Sequence, residues 1–504
     1  MAFDLGRYRR RAERFCEELS REYYRHLAGH KPELALEPIY EGYADLFERD
    51  SVARLRELAA AAEAAEERRR LRYLLHFSFD GLIGMDTWSE SAELAGLEAS
   101  LEVDPGDGPV PYRRVVIEQA NEADADRRAA LEEARNAVLA ERLNPLHLSA
   151  LERSHELCGA FGWPSYADAF AELRGLDLEA LGRQTKQFLN ATEDSYGALL
   201  NPQLLNAEVP RLPQLRRSDL PRFFRAVALD PVFPAERLID SFSLTLAGLG
   251  IDLGQQANVH LDTESRPTKS PRAFCATPRV PGEVYLVIAP TGGRDDFGAL
   301  FHEGGHAEHY ANTDPGLDFE FRQLGDNSVT ESFAFLLEHL VEDPVWLGER
   351  LGVEDPQPAV DHARAFKLLM LRRYSAKLLY ELELHGASRK LDAMPTRYAA
   401  LLTDAVRVRW PAASWLADVD DGFYAACYLQ AWVLETRWRT ALRERFGELW
   451  FDSPAAGDWL RALWGRGQRL DAAELVAESV GGALDFAELA GDYRATPMAG
   501  GGAT

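Results

Sequence analysis

Apolar residues recur at spacings of three and four along most of the first 250 residues. The stretch SVARLRELAAAAEAAEERRRLRYLLHFSFDGLI, residues 51–83, is rich in Ala, Leu, Glu and Arg and keeps that spacing. DADRRAALEEARNAVLAERLNP, residues 124–145, repeats the habit and ends on Asn144-Pro145. This period predicts long antiparallel helices, the second stopping at the Asn-Pro step. No fixed-period repeat is visible, so a solenoid of short repeats is not expected. Between about 256 and 291 the texture changes. NVHLDTES and GEVYLVIAPTGG alternate or run apolar with β-branched residues and end in Pro and Gly, which predicts strands, with RPTKSPRAFCATPRVPG between them as a loop or third strand. Helical spacing returns from about 295, through one helix that carries a histidine cluster, another from about 328 to 341, and several more to about 490. The last residues, ATPMAGGGAT, read as a frayed tail. The organisation expected is a helical N-terminal region, 1–250, then a region 251–490 containing the small sheet and the histidine helix, then a flexible tail, 491–504.

Composition narrows the partners. A chain of 504 residues is long enough for about three domains, although elongated helical proteins often run further as one body. Apolar residues at 46% and charged residues at 27% describe an ordinary chain with ample core. Lys and Arg number 56 against 81 Asp and Glu, a net charge of -25. No long basic stripe with interleaved aromatics tracks a phosphate backbone, so nucleic acid is not an expected partner. The N-terminal MAFDLGRYRRRAERFCEELSREYYRHLAGH has basic residues but no apolar core behind them, and no run reaches 18 apolar residues, so neither a secretory signal nor a membrane partner is expected. Cys16, Cys158, Cys275 and Cys427 lie far apart without C-x-x-C spacing and read as free thiols of a reducing compartment, hence a cytoplasmic protein.

The densest chemistry sits in ALFHEGGHAEHYANT, residues 299–313. Asp295 and Asp296 suit the first turn of a helix. His302 and His306, four apart, present their imidazoles on one face, and Glu303 stands beside the first, the H-E-x-x-H arrangement of a metal site with a general base. His309 lies a further three residues on. Seven residues span about 10 Å of helix, whereas a Zn–N bond is about 2.1 Å, so one ion cannot take all three histidines. The extended pattern H-E-x-x-H-x-x-G-x-x-H is excluded, because residue 309 is His and residue 312 is Asn. Gly304 and Gly305 each cost roughly 1 kcal/mol inside a helix. Close approach of another backbone or of substrate explains them, and so does a kink.

A third ligand must come from the following segment, where Glu320, Glu331 and Glu338 are candidates. The helix beginning near 328 has Val329, Phe333, Leu336, Leu337 and Leu340 on its buried side. Glu331 lies early on it, 25 residues after His306. The same residue fits a capping box with Ser328, S-x-x-E, and local pattern weighs cap and ligand equally.

These residues resemble the thimet oligopeptidase and oligoendopeptidase F family of zinc metallopeptidases, a gluzincin group. In that family H-E-x-G-H-x-x-H is followed about 25 residues later by a ligand glutamate and, seven beyond, by another. Here the counterparts are HEGGHAEH, Glu331 and Glu338. The resemblance is specific from about 265 to 341, weaker from 365 to 435, and covers the N-terminal half only as a helix-rich pattern. It implies a mainly α, elongated, two-lobed fold around a deep cleft, with a small β-sheet next to the zinc helix. It implies one Zn2+ held by His302, His306 and Glu331, a ligand set that suits zinc with an open position. It further implies a zinc-bound water with Glu303 as general base, and short peptides bound extended along the sheet edge.

The family carries its oxyanion donor on a tyrosine-dense helix with a nearby histidine, and WLADVDDGFYAACYLQAWVLE, residues 415–435, is the matching stretch. Tyr424 and Tyr428, four apart, are the candidate donors. No histidine occurs from 386 to 504, and Cys427 and Gln430 stand where relatives are tyrosine-rich. That departure supports an alternative, a catalytically silent or non-peptidase relative that keeps the metal site and cleft for ligand binding. His309, His339 and His385 are expected in the core or behind a ligand, and Glu338 either bracing a histidine or solvated. Lys269 and Arg272 are expected as surface charges or as contacts to a peptide carboxylate.

Overall fold

The computed structural model describes residues 3–493. Helices dominate it from Leu5–Leu27 to Phe486–Gly491, and two small sheets interrupt them. The pattern over 51–83 folds as two helices, Arg49–Ala61 and Ala65–Asp86, that pack on one another. Folding back lets Val52 and Leu55 share one core with Leu71, Leu74, Leu75 and Phe79. The expected stop at Asn144-Pro145 is not a stop. Ala125–Val138 runs through one π-turn, Leu139–Leu143, directly into Asn144–Ala160. Proline lacks only an N–H that a first helical turn leaves unpaired anyway, so Pro145 opens this segment rather than ending the previous one.

Three strands form the larger sheet: Val259–Asp262, Phe274–Arg279 and Glu283–Val287. The last lies in the centre, parallel to the first (Val259 opposite Val284) and antiparallel to the second (Phe274 opposite Val287). The segment 266–282 therefore does supply a third strand. Lys269 holds its approach. Its ammonium donates to Asp262 Oδ1 at 3.0 Å and to the carbonyls of Asp262, Glu264 and Ile288 at 2.8–2.9 Å. The side chain is 1% exposed, so Lys269 is neither a surface charge nor a reader of peptide carboxylates; burying an ammonium demands this full set of acceptors. Arg272 is exposed. At the sheet edge, the Cys275 N–H donates to Glu303 and the Thr277 N–H to Ser20 of the first helix. The edge that the resemblance assigns to a peptide is thus partly occupied.

Apolar packing partitions the chain differently from the 1–250 and 251–490 division. One core joins the N-terminal helices up to Phe223 with residues from Ala365 to Val433 and with Phe486–Tyr493. A second joins Ala226–Ile251 to the sheet, the histidine helix and residues from Leu434 to Val476, and a small third gathers Val103, Tyr112, Val115, Leu131, Leu139 and Leu143. Three helices belong to both large cores, one of them Gln357–Leu384, with Ala359 in the second core and Ala365 and Leu368 in the first. Asn327–Glu338 gives Phe335 to the first core and Val329, Phe333 and Leu336 to the second. Tyr424–Phe446 gives Leu429 and Val433 to the first and Leu434, Trp438 and Leu442 to the second. Tyr493 is buried, so packing continues beyond 490, and residues 494–504 of the expected tail lie outside the described residues. No helix among the described residues is long and apolar enough to cross a membrane. All four cysteines are free.

Candidate metal centre

Arg294–Ala311 is one unbroken helix, so the kink reading of its glycines falls. Its entry is set by Asp296, whose carboxylate accepts from Thr291 N at 2.5 Å and Gly292 N at 2.9 Å. A Cβ on Gly305 would stand 2.4 Å from the Phe333 carbonyl and 2.6 Å from Ala334 Cα, inside the backbone of the following helix. A Cβ on Gly304 would stand 2.4 Å from the Phe242 ring. The two glycines admit protein neighbours, and Gly305 lets the helix of His302 and His306 approach the helix of Thr330 and Glu331, Asn327–Glu338, backbone to backbone.

At that crossing His302 Nε2 lies 3.4 Å and His306 Nε2 3.6 Å from Glu331 Oε2, and one donor atom from each residue falls within 4.8 Å of the other two. The other ring nitrogens are spoken for. Glu338 Oε2 sits 2.9 Å from His302 Nδ1, and Thr330 Oγ1 2.8 Å from His306 Nδ1. Both Nε2 atoms are thereby turned inward, the orientation that supporting hydrogen bonds impose on metal-binding imidazoles. Glu331 Oε2 is buried without a hydrogen-bond partner, while Oε1 accepts from the Tyr424 hydroxyl at 2.7 Å. A buried carboxylate oxygen left unpaired between two imidazole nitrogens is costly unless a cation completes it. The donor set fits Zn2+, with two nitrogens, one oxygen and room for further coordination.

The remaining glutamates go elsewhere. Glu320 is buried against Arg9 at 2.6 Å and Arg70 at 3.4 Å. Glu338 braces His302 from behind. The capping-box reading of Glu331 also falls, because the helix begins at Asn327 and its cap is Asp326, which accepts from Ser328 N at 2.8 Å.

Charge around the trio is strongly coupled. Burial opposes a charge on His302, yet Glu331 and Glu338 on its two sides hold its pKa well above the ordinary value. Burial takes His306 down to about 4. Glu331 is held low despite burial by His306, His302 and the Tyr424 hydroxyl. Glu303 lies beside the trio with Oε2 accepting from Cys275 N at 2.8 Å, and burial raises its pKa to about 7, a value suited to taking up a proton near neutrality.

Tyr424 and Tyr428 do share a face, ring centroids 5.0 Å apart. Tyr424 is committed to Glu331, whereas the Tyr428 hydroxyl makes no hydrogen bond among the described residues, and Tyr428 lines a cavity that His302 also lines. The segment before them turns through Gly422 and Phe423, both at positive φ. Asp420 there pairs with Lys377 at 2.6 Å, and Cys427 accepts from Arg174 at 3.5 Å. His309 is in the core, tilted on Phe333. His385 meets His155 at 2.9 Å, and His339 borders the cavity beside His302. Sequence reasoning missed Thr330 and the Cys275 N–H; only the adjacency of Thr330 to Glu331 pointed toward it.

No family model matches the chain. No curated protein matches it either. Among solved structures, a crystal structure of a protein from Bacillus anthracis str. Ames, provisionally named an oligoendopeptidase F, matches over 97% of this chain and 84% of that one. The TM-score is 0.61 at 13% identity. This chain shares that mainly α fold. At so low an identity the likeness speaks for the fold alone.

Proposed function

We propose that this chain is a zinc-dependent metallopeptidase that hydrolyses short peptides. The observation that carries the reading is the convergence of His302 Nε2, His306 Nε2 and an unpaired Glu331 Oε2, each backed by its own hydrogen bond. Zinc held by these three would supply a Lewis acid that polarises a peptide carbonyl and makes a water molecule a better nucleophile. Glu303 takes the proton of the attacking water and passes it to the leaving amine. Its hydrogen bond from Cys275 N holds one oxygen and leaves Oε1 to do so. Tyr428, with its free hydroxyl, donates to the oxyanion that develops on the former carbonyl. Tyr424 positions Glu331 instead. The trio is recessed, with the His306 and Glu331 side chains 13% and 6% exposed, which favours short extended peptides over folded proteins.

Glu303→Gln should keep its zinc by elemental analysis and lose about 10²–10⁴-fold in peptide cleavage; undiminished cleavage would overturn the role given to Glu303. The absence of any histidine from 386 to 504 favours a second reading, in which metal and cleft serve binding alone. A quenched-peptide library separates them: the peptidase reading expects cleavage that a zinc chelator stops, the binding reading none in either condition.

A further inference from the structure

We propose that a separate cavity, walled by the helices Ala65–Asp86, Trp88–Ser100 and Asn144–Ala160 and by the turn ahead of Tyr424–Phe446, binds a small organic cation that carries a hydrogen-bond acceptor beside its ammonium group. It shares no residue with the trio or with the cavity that His302 lines, and the proposal stands whether or not the chain is a peptidase. Its volume is about 530 Å³, inside the range of roughly 300–1,000 Å³ usual for small-molecule sites. One wall ends a chain of hydrogen bonds. Arg389 donates to His155 Nδ1, and His155 Nε2 lies 2.9 Å from His385 Nδ1. A guanidinium can only donate, so His155 accepts at Nδ1 and carries its own hydrogen on Nε2. His385 accepts that hydrogen at Nδ1 and therefore bears an N–H at Nε2. This N–H is buried and meets no partner, although His385, 2% exposed, lines the cavity. Tyr166, stacked at 4.3 Å, and Phe423, edge-on at 5.3 Å, hold the ring. A buried donor left unpaired is costly, and an acceptor on the ligand would complete it.

The charge of the occupant follows from the other walls. Asp80, Glu98, Asp420 and Asp421 line the cavity, and no Lys or Arg among the described residues does. Glu98 is engaged by Arg113 at 3.8 Å. Asp420 gives Oδ1 to Lys377 at 2.6 Å, while its Oδ2 is buried without a partner. Asp80 and Asp421 are exposed and make no side-chain hydrogen bond or ion pair among the described residues. Desolvation, opposed by Arg174 and assisted by the charge of Asp421, raises the Asp80 pKa to about 6. Among the described residues only the trio gathers three metal-donor atoms. An ammonium needs no such convergence, so it suits these carboxylates better than a metal ion. Ile83, Leu151 and Val419 add an apolar wall for its carbon stem.

The test is a calorimetric titration of zinc-loaded full-length protein at about pH 7, where an α-amino group is largely charged. The probes are L-leucinamide, its N-acetyl derivative, which lacks the charge, and 3-methylbutylamine, which lacks the acceptor. Leucinamide should bind about tenfold tighter than the acetylated amide and several-fold tighter than the amine, the differences that one charged and one neutral hydrogen bond make. The double variant Asp80→Asn, Asp421→Asn, altered only at exposed positions, should lose about tenfold in leucinamide affinity with its zinc content unchanged. His385→Phe, which keeps a ring against Tyr166, should bind leucinamide and 3-methylbutylamine alike and still disfavour the acetylated amide. The proposal is overturned if leucinamide does not bind, if the unaltered protein binds it no better than either analogue, or if the folded, zinc-loaded double variant binds it undiminished, which would put the amine elsewhere, at the zinc included.

Discussion

Thr330 shows how much a site owes to single atoms behind it. Its hydroxyl, 2.8 Å from His306 Nδ1, leaves Nε2 free to face Glu331. Removing such a partner from a metal-binding imidazole typically costs about 10–100-fold in affinity. Thr330→Val should therefore weaken zinc binding by that factor in a competitive chelator titration, while Thr330→Ser retains most of it; equal affinity in the valine variant would sink the bracing role. At this scale the sequence was informative where one helical turn sets geometry. Glu303 beside His302, with His306 on the same face, follows from helix pitch. A threonine one residue before a candidate ligand carries no pattern of its own, and local spacing, which favours Glu331 over Glu320 and Glu338, leaves it open between helix cap and ligand.

Between elements, the decisive contact is the crossing of Arg294–Ala311 over Asn327–Glu338. Gly305 makes it possible, since any Cβ there would meet the Phe333 carbonyl. Alanine normally gains about 1 kcal/mol over glycine inside a helix, but forcing two packed backbones apart costs about 1–3 kcal/mol. Gly305→Ala should thus be destabilising in urea unfolding and should also weaken zinc binding, because separation carries Glu331 away from both imidazoles. A more stable variant would mean that the helices adjust freely. Gly304 meets only the Phe242 ring, a side chain rather than a backbone, and should tolerate alanine better. The pair of glycines was visible in sequence as an unexplained cost. Which neighbour each admits was not, because the partners lie about 30 and 60 residues away.

Across the whole molecule, the site lies where two hydrophobic cores meet and where the glutamate and tyrosine helices serve both. Ahead of the tyrosine helix, half-buried Asp418 pairs with Arg373 and accepts a hydrogen bond from the Tyr398 hydroxyl. Burial alone would raise the Asp418 pKa, but Arg373 and Lys377 pull it below the ordinary value. A carboxylate whose folded-state pKa is depressed contributes its stability in full above the unfolded value, about 3.9, and loses it as pH falls toward the folded one. In metal-free protein, the melting temperature should fall steeply below about pH 4, and Asp418→Asn, less stable at neutral pH, should show a shallower decline. Parallel curves would deny the coupling. Helix and strand succession, the paired imidazoles and the neighbouring base were all written in local spacing, because helix pitch and strand pleat act over a few residues. The burial of Lys269, the helix that continues through Pro145, the carboxylate that meets the histidines and the aromatic cavity beside them were decided only in the folded chain. Those outcomes depend on which distant apolar surfaces find one another, and no local period encodes that.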